Sequence, residues 1–520
     1  MKLQDTNKFR MFTNIIAMYL FAVMAMPLAS SAQEQKEEKN EHHHYKLIDF
    51  GTFGGPNSSY FVPNPKGLVN NSGVAVGGAD TSTPDPTSTF DAFLSYGFTW
   101  QDGVAHKLGA LPGFNSSFAF WVSNDGHVVG VSENGIDPLT GFRALEAVLW
   151  GKDGSITDLG TLGGNQSNAF AVNNRGQVAG AALNTIPDPY TANFIIGSSG
   201  TTQAHAFRWT KSQGMQDLGT LGGADSAAFY INDRGQIAGY SFTDSTVNPN
   251  TGVPTTHPFL WENGKMTDLG TLGGSFAGPF GFESFGGLNN RGEVVGTSNL
   301  AGDLTNHPFL WTKSGGMKDL GTLGGTFGFA AWINDAGEVV GTASTPGDQF
   351  LHAFLWRDGI MTDLGTPGSD PNTQPRSINS RGQVVGGSFD SAVGDLHGFL
   401  WENGSIADVN TLIASGSGAT IIGAFDINDR GEIAATGVDA NGDQRAFLLI
   451  PCDENHEDVE GCDYEPVDAV TEASVRSAQI VPAQATASEA KLSPAENMAR
   501  LRALMASHNR RFGMQQASPK

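Results

Sequence analysis

The sequence predicts an all-β protein: a β-propeller of eight four-stranded blades closed by the N-terminal strand, with seven blades as the alternative, followed by a C-terminal tail with one short helix. Three observations carry this prediction. A Gly-rich turn, D-L-G-T-L-G-G or a worn copy of it, recurs at 44 to 59 residue spacing, starting at Asp49, His106, Asp158, Asp217, Asp268, Asp319, Asp363 and Asp408, and a period of that length marks a repeat architecture. Between copies lie short apolar runs separated by turn chemistry, the pattern of successive antiparallel strands. Finally, the repeat region enters on a segment like a fourth strand, Tyr45 to Gly51, and leaves on one like a third, Arg445 to Ile450. Each end lacks what the other supplies, and closing a ring that way leaves no exposed strand edge.

Composition sets the outer limits. The chain has 520 residues, 39% hydrophobic, only 16% charged, with 68 glycines, so it reads as globular and turn-rich. Its 30 Lys and Arg stand against 53 Asp and Glu, a formal charge of −23. That balance argues against nucleic acid or an anionic membrane as main partner, because phosphate recognition relies on clustered cations.

At the N-terminus, Lys8 and Arg10 precede an apolar stretch from Ile15 to Ala29, with small residues up to Ala32. Residues 1–32 therefore read as a signal peptide, and a retained anchor is the alternative. No later segment reaches the ~18–20 apolar residues of a bilayer span. The mature chain is expected to be secreted, periplasmic or extracellular. Residues 33–44 read as a charged, solvated linker containing His42, His43 and His44.

Residues 45–450 form the repeat domain. In 327 to 365 the first strand ends at Asn334, and Asn334-Asp335-Ala336-Gly337 makes the first hairpin turn, where Asn and Asp bond their own backbone and Gly takes a positive φ. Equivalent first strands end at Asn70, Ser123, Asn173, Asn232, Asn289, Asn379 and Asn428. A second, shorter turn such as Trp261-Glu262-Asn263-Gly264 joins the third and fourth strands, and Gly-Gly after each D-L-G lets the chain cross to the next blade. The strand order is like that of WD-repeat propellers.

The motifs themselves resemble a known family. H-A-F-L-W at His352 to Trp356, H-A-F-R-W at His205 to Trp209, the D-L-G-T-L-G-G turns and the I-N-x-x-G-[QE]-V-V-G segments are similar to those of the bacterial HAF-repeat extracellular proteins. The resemblance covers roughly Tyr45 to Ile450. It implies export and a propeller-like repeat fold, but no catalytic residue, since that family has no established activity. Some members end in a hydrophobic sorting segment; this chain departs there.

After Ile450, residues 451–492 contain Cys452 and Cys462, ten positions apart, then an Ala/Ser/Pro-rich linker. One disulfide closing an acidic loop is expected, with a two-Cys metal site as the rival reading. Ser493 opens a helix over 493–512 that carries Arg500, Arg502, Arg510 and Arg511; docking on the propeller, meeting another envelope component and a disordered tail are the three expectations for it.

Candidate sites compete with structural readings. His205, His257, His307, His352 and His397 recur at one place in the unit but begin third strands away from the channel, so they read as structural hydrogen-bonders. The D-L-G aspartates read as caps of their own turns. No cofactor is expected, calcium being the one candidate at Asp439, Asn441 and Asp443, whose alternating oxygens lack a later acidic ligand. No G-x-S-x-G, H-E-x-x-H or Walker-type loop occurs. The links between second and third strands lengthen at Asp80 to Asp91, Glu133 to Glu146, Ala182 to Ala204 and Thr243 to Thr256. Long loops on one face of a repeat scaffold are where binding is usually placed, and drift in unneeded loops is the competing reading. The binding candidates there are Phe142, Tyr190, Phe194 and Phe242. The expected function is a non-catalytic, monomeric, exported binding or scaffold protein contacting a protein or glycan of the cell envelope. A polysaccharide hydrolase or lyase using acids near the channel is the alternative.

Overall fold

The computed structural model describes residues 42–60, 66–85, 93–137, 143–188, 202–248, 254–278, 286–390, 396–414, 417–457, 459–465 and 467. The expected signal peptide, most of the expected 33–44 linker and the expected 493–512 helix lie outside the described residues, as do Phe142, Tyr190 and Phe194.

The protein is all-β and propeller-like, built from consecutive antiparallel sheets of four strands. We number these units 1 to 8 in chain order: 54–107, 117–158, 167–217, 226–268, 273–319, 328–363, 372–408, and 420–451 joined by Tyr45–Asp49. Unit 6 is representative, with strands Gly328–Ile333, Val339–Ser344, Leu351–Arg357 and Ile360–Asp363 in that order across the sheet. Units 4 and 5 are bridged by a single parallel pair, Thr256 with Phe276. Tyr45–Asp49 pairs in full register with the last strand, Tyr45 opposite Pro451 and Asp49 opposite Phe447.

Register explains the motifs. The Phe of each H-A-F segment faces the Gly of V-V-G on the neighbouring strand: Phe207 opposite Gly180, Phe354 opposite Gly341, Phe399 opposite Gly386. A Cβ on Gly341 would lie 2.6 Å from the Phe354 ring, so only Gly lets the ring lie down over the strand. These rings are fully buried, each contributing roughly 2 kcal/mol by removing apolar surface from water. Equivalent Phe residues recur from unit to unit, filling the space between neighbouring sheets.

Register also corrects two expectations. In unit 1 the residue opposite Phe98 is Lys107, not His106, so the worn turn there begins one residue later. The long links are partly strand: second strands extend to Pro84, Ile136, Pro187 and Val247, whereas that of unit 6 stops at Ser344. A strand can continue past its neighbours wherever an adjacent third strand is long enough to pair with it.

Candidate functional site

Six of the eight units carry the site on a bulge of the first strand. Register slips between Ala119 and Trp121, Ala169 and Ala171, Ala228 and Tyr230, Ala330 and Trp332, Pro375 and Ser377, and Ala424 and Asp426. A bulge inserts one residue and re-aims the next side chain. The residue after each slip, two before the turn Asn or Ser, is Trp121, Ala171, Tyr230, Trp332, Ser377 or Asp426, with Leu68 and Gly287 at the same place in units 1 and 5. Bulky rings from units 2, 4 and 6 alternate with small residues of units 3, 5 and 7. Trp332 lies 6.3 Å from Trp121 and 5.6 Å from Tyr230, ring centre to ring centre. Gly287 packs closely beside them: a Cβ there would stand 3.2 Å from Ile333 Cγ2 and 3.4 Å from the Trp332 ring. The Tyr230 hydroxyl accepts from the Gly286 N–H at 3.0 Å, and burial pushes its phenol pKa up.

These rings floor a central cavity of ≈ 220 Å³ lined by residues of every unit. Its mouth is a ring of Asx turns. The side-chain amide of Asn173 donates to the carbonyl of Asn232 at 3.0 Å, Asn232 to Asn289, Asn289 to Asn334, Asn334 to Asn379, Asn379 to Asn428, Asn428 to Asn70 and Asn70 to Ser123. Among the described residues the junction from unit 2 to unit 3 lacks this bond, because Ser123 has no amide to give. Outside that ring, Asp233 accepts from the Asn174 N–H at 3.0 Å and its amide at 2.9 Å, and Asp335 accepts from the same groups of Asn290 at 2.8 and 2.9 Å. Asp429 accepts from the Ser380 N–H at 2.9 Å and the Asn71 amide at 2.7 Å. Desolvation at this mouth works against the charge of Asp429, but those two donors outweigh it and hold its pKa below the usual carboxylate range.

One wall differs. The Lys66 ammonium donates to the Ile427 carbonyl at 2.6 Å, with Asp426 Oδ1 at 3.1 Å and Ser377 Oγ at 3.4 Å. Asp426 is fully buried and accepts from the N–H groups of Gly67, Leu68 and Ile427 and from Ser377 Oγ. Those bonds use both carboxylate oxygens and fix the side chain in place. The cluster therefore joins unit 8 to unit 1 and to the Lys66 side of the cavity, with the three ammonium protons already placed.

The repeated histidines do not reach the cavity. His205, His257, His307 and His352 each set Nδ1 on the carboxylate of their own unit's D-L-G aspartate: Asp217, Asp268, Asp319 and Asp363, at 2.8 to 3.0 Å. The same aspartates accept from the Gly N–H two residues on, so the two sequence motifs are hydrogen-bond partners of one another. His397 turns instead to Asp370 at 2.8 Å. In unit 1 the pair becomes Tyr96 with Lys107, whose ammonium lies 3.3 Å from the ring centre, a cation–π contact.

The other predicted residues sit as follows. Phe242 is buried in the core and offers no surface to a ligand; its strand continues through the place where a loop was expected. Asp439 accepts from the N–H groups of Asn441 and Asp443 and pairs with Arg445 at 3.1 Å, so its carboxylate caps its own turn. Cys452 and Cys462 form a disulfide. The loop it closes buries His456 between Asp453 and Glu432, and although burial opposes its charge these carboxylates raise its pKa. His42 belongs to no solvated linker: it is buried and bonds Glu402 at 3.1 Å.

The long links share a plan the sequence reading missed. Asp85, Asp137, Asp188 and Asn248 each precede a proline, and the three aspartates are buried. Arg143 of unit 2 pairs with Asp85, Asn248 bonds Ser275 of unit 5, and Asp188 bonds Asp225 of unit 4. In these three cases a link of one unit fastens onto the next. The signal was available as a recurring Asp/Asn-Pro at one place in four successive units.

Strand pairing and cavity together define a propeller-like repeat protein whose central cavity has an aromatic floor and a polar mouth. No protein-family model matches the chain, and no curated protein does. Among solved structures it is similar to TolB from Acinetobacter baumannii, with 12% identity over 78% of this chain and 96% of that one and a TM-score of 0.32. It is also similar to Porphyromonas gingivalis dipeptidyl peptidase 4, with 11% identity over 76% of this chain and 60% of that one, at 0.41. A gluconolactonase from Xanthomonas campestris shares 10% identity over 48% of this chain and 78% of that one, at 0.25. Superpositions this loose carry no argument about activity or partner. Among the described residues no helix is long and apolar enough to cross a membrane.

Proposed function

We propose that the chain is an exported, non-catalytic HAF-repeat binding protein, an eight-bladed propeller closed by Tyr45–Asp49, that contacts a protein or glycan of the cell envelope. The observation that carries the binding reading is the floor of the central cavity: Trp121, Tyr230 and Trp332 meet there in place of convergent acids. The acids at the mouth are each tied to neighbouring amides, and Asp429 is held at low pKa, the reverse of what a general acid requires. Closure is supported by the pairing of Tyr45–Asp49 with the last strand and by the Asn428 to Asn70 bond. The long-link face is a second contact surface. Its forward-fastening Asp and Asn residues speak against drift, and Ile136, Ile186 and Val247 stand exposed beside them.

Two measurements test this. Incubation of the whole secreted chain with envelope polysaccharides should leave their chain length unchanged; shortened products would overturn the non-catalytic reading. Replacing 184–203 and 243–255 with 300–305 of unit 5, between the matching pairs Leu183–Ala204, Phe242–Thr256 and Asn299–Asn306, should preserve folding and abolish capture of the envelope partner. Retained affinity would remove the long-link face from the proposal.

A further inference from the structure

The central cavity has a chemistry that selects its ligand, and charge is the first criterion. Three carboxylates, Asp233, Asp335 and Asp429, stand at the mouth, and neither Arg nor His lines the cavity. An anion entering would meet like charges, and the one ammonium on the wall, Lys66, is already engaged by the Ile427 carbonyl at 2.6 Å and Asp426 Oδ1 at 3.1 Å. Deeper, the Lys66 charge on the wall is compensated by the Asp426 carboxylate beside it, so it neither draws an anion in nor adds to the field at the mouth. Charge therefore disfavours an anionic guest, and the choice between a neutral and a cationic one falls to shape and hydrogen bonding.

Shape and hydrogen bonding are the second criterion. The floor is aromatic, with Trp121 half-buried and Trp332 beside it, which suits a ligand with an apolar face. The mouth offers carboxylate and amide groups held in place by their neighbours. Each carboxylate oxygen has lone pairs beyond the one bond it accepts here, and each Asn amide has two N–H donors. Pre-organised groups of that kind bind hydroxyls without paying to order themselves first. At ≈ 220 Å³ the cavity is smaller than pockets for drug-sized ligands, which run about 300–1,000 Å³, so it takes one ring at a time.

We propose that the central cavity binds the uncharged terminal sugar of a glycan, its apolar face against Trp121 and Trp332 and its hydroxyls bonded by Asp233, Asn290 and Asp335 at the mouth. The proposal rests on the binding reading given above. It assigns the glycan end to the turn side of the propeller and leaves the long-link face to other contacts.

The test is calorimetric titration, with ligand-observed NMR for weak binding, of the full chain with neutral di- and trisaccharides of hexose and N-acetylhexosamine. Disaccharides ending in a uronic acid, and choline, serve as charged probes. A neutral saccharide should bind saturably, and the charged probes at least about 10-fold more weakly. Asp335→Ala and Trp121→Ala should each weaken binding about 10- to 100-fold, the range for losing a charged hydrogen bond or a stacking face. Asp335 is exposed, so its variant keeps the test valid if Trp121→Ala fails to fold. No saturable binding of any neutral saccharide up to about 10 mM, weaker than ordinary millimolar recognition, would overturn the proposal. So would preference for a charged probe, or affinity unchanged in a folded Asp335→Ala variant. Shortening of a saccharide that is lost in Asp335→Ala would instead overturn the non-catalytic reading while supporting the assignment of the ligand.

Discussion

Asp225 shows how one residue can set the pH response of this protein. It is fully buried between units 3 and 4, and its pKa is raised to about 7 by burial first and then by the neighbouring Asp188 carboxylate, against the pull of the Ala204 N–H. A carboxyl whose folded pKa lies above its unfolded value holds its proton more tightly when folded. Its contribution to stability is therefore fully present only at low pH, below the unfolded carboxyl value, and is lost as pH rises through about 7. His205 and His456, whose carboxylate partners outweigh burial and raise their pKa, work in the same direction: their contribution is present below ~6.5 and is lost as pH climbs through the raised value. The melting temperature should accordingly be higher at pH 5.5 than at pH 8. Asp225→Asn, which keeps a donor toward Asp188 at every pH, should flatten much of that difference. An unchanged pH profile in the variant would place the effect elsewhere.

At the scale of the element, the Asn-headed turn does two jobs. Its Oδ1 accepts from its own turn, as Asn334 does from the N–H groups of Ala336 and Glu338, and its amide reaches the next unit. Ser123 can do only part of the first, accepting from the His127 N–H at 3.1 Å. Ser123→Asn should add the missing bond to the Asn173 carbonyl and stabilise by about 0.5–1.5 kcal/mol, read as a rise in the denaturation midpoint. A fall would show that the site has no room for the amide. The edge strand offers a second test. Removing 45–49 exposes the backbone of Gln444–Pro451, and unpaired edges invite pairing with other chains. Thermal stability should fall and self-association rise; unchanged unfolding would count against closure.

Across the whole molecule, the repeats share their scaffold and differ in three places: the residue after the first-strand bulge, the link between second and third strands, and the pair at the His and Asp positions. Such quasi-one-dimensional architectures tolerate this, because each unit meets mainly its neighbours and a change in one leaves distant units untouched. Function can then accumulate in the variable positions while Phe354, Gly341 and their counterparts keep the sheets apart at a fixed distance. If the cavity and the long-link face are separate contact sites, shortening the links at 184–203 and 243–255 should leave saccharide affinity at the cavity unaltered. Coupled loss of both would show that the two surfaces act as one.

The sequence by itself determined the repeat, the four-strand unit, its phase, the ends of the first strands and the structural character of the repeated histidines. All of these depend on local turn chemistry and on alternation, which are written within a few residues of where they act. It pointed to Phe242 as a surface residue and to a solvated His42, and both lie buried. Burial there comes from strands and ends far away in the chain: Phe242 pairs with Thr256 in the lengthened third strand, and His42 meets Glu402, 360 residues on. The central site was equally out of reach. Trp121, Tyr230 and Trp332 stand at one column of the repeat, but that they converge follows from a bulge turning each toward the same point. Convergence of side chains from different units is a property of how the sheets are arranged around a centre, and only the tertiary structure fixes that.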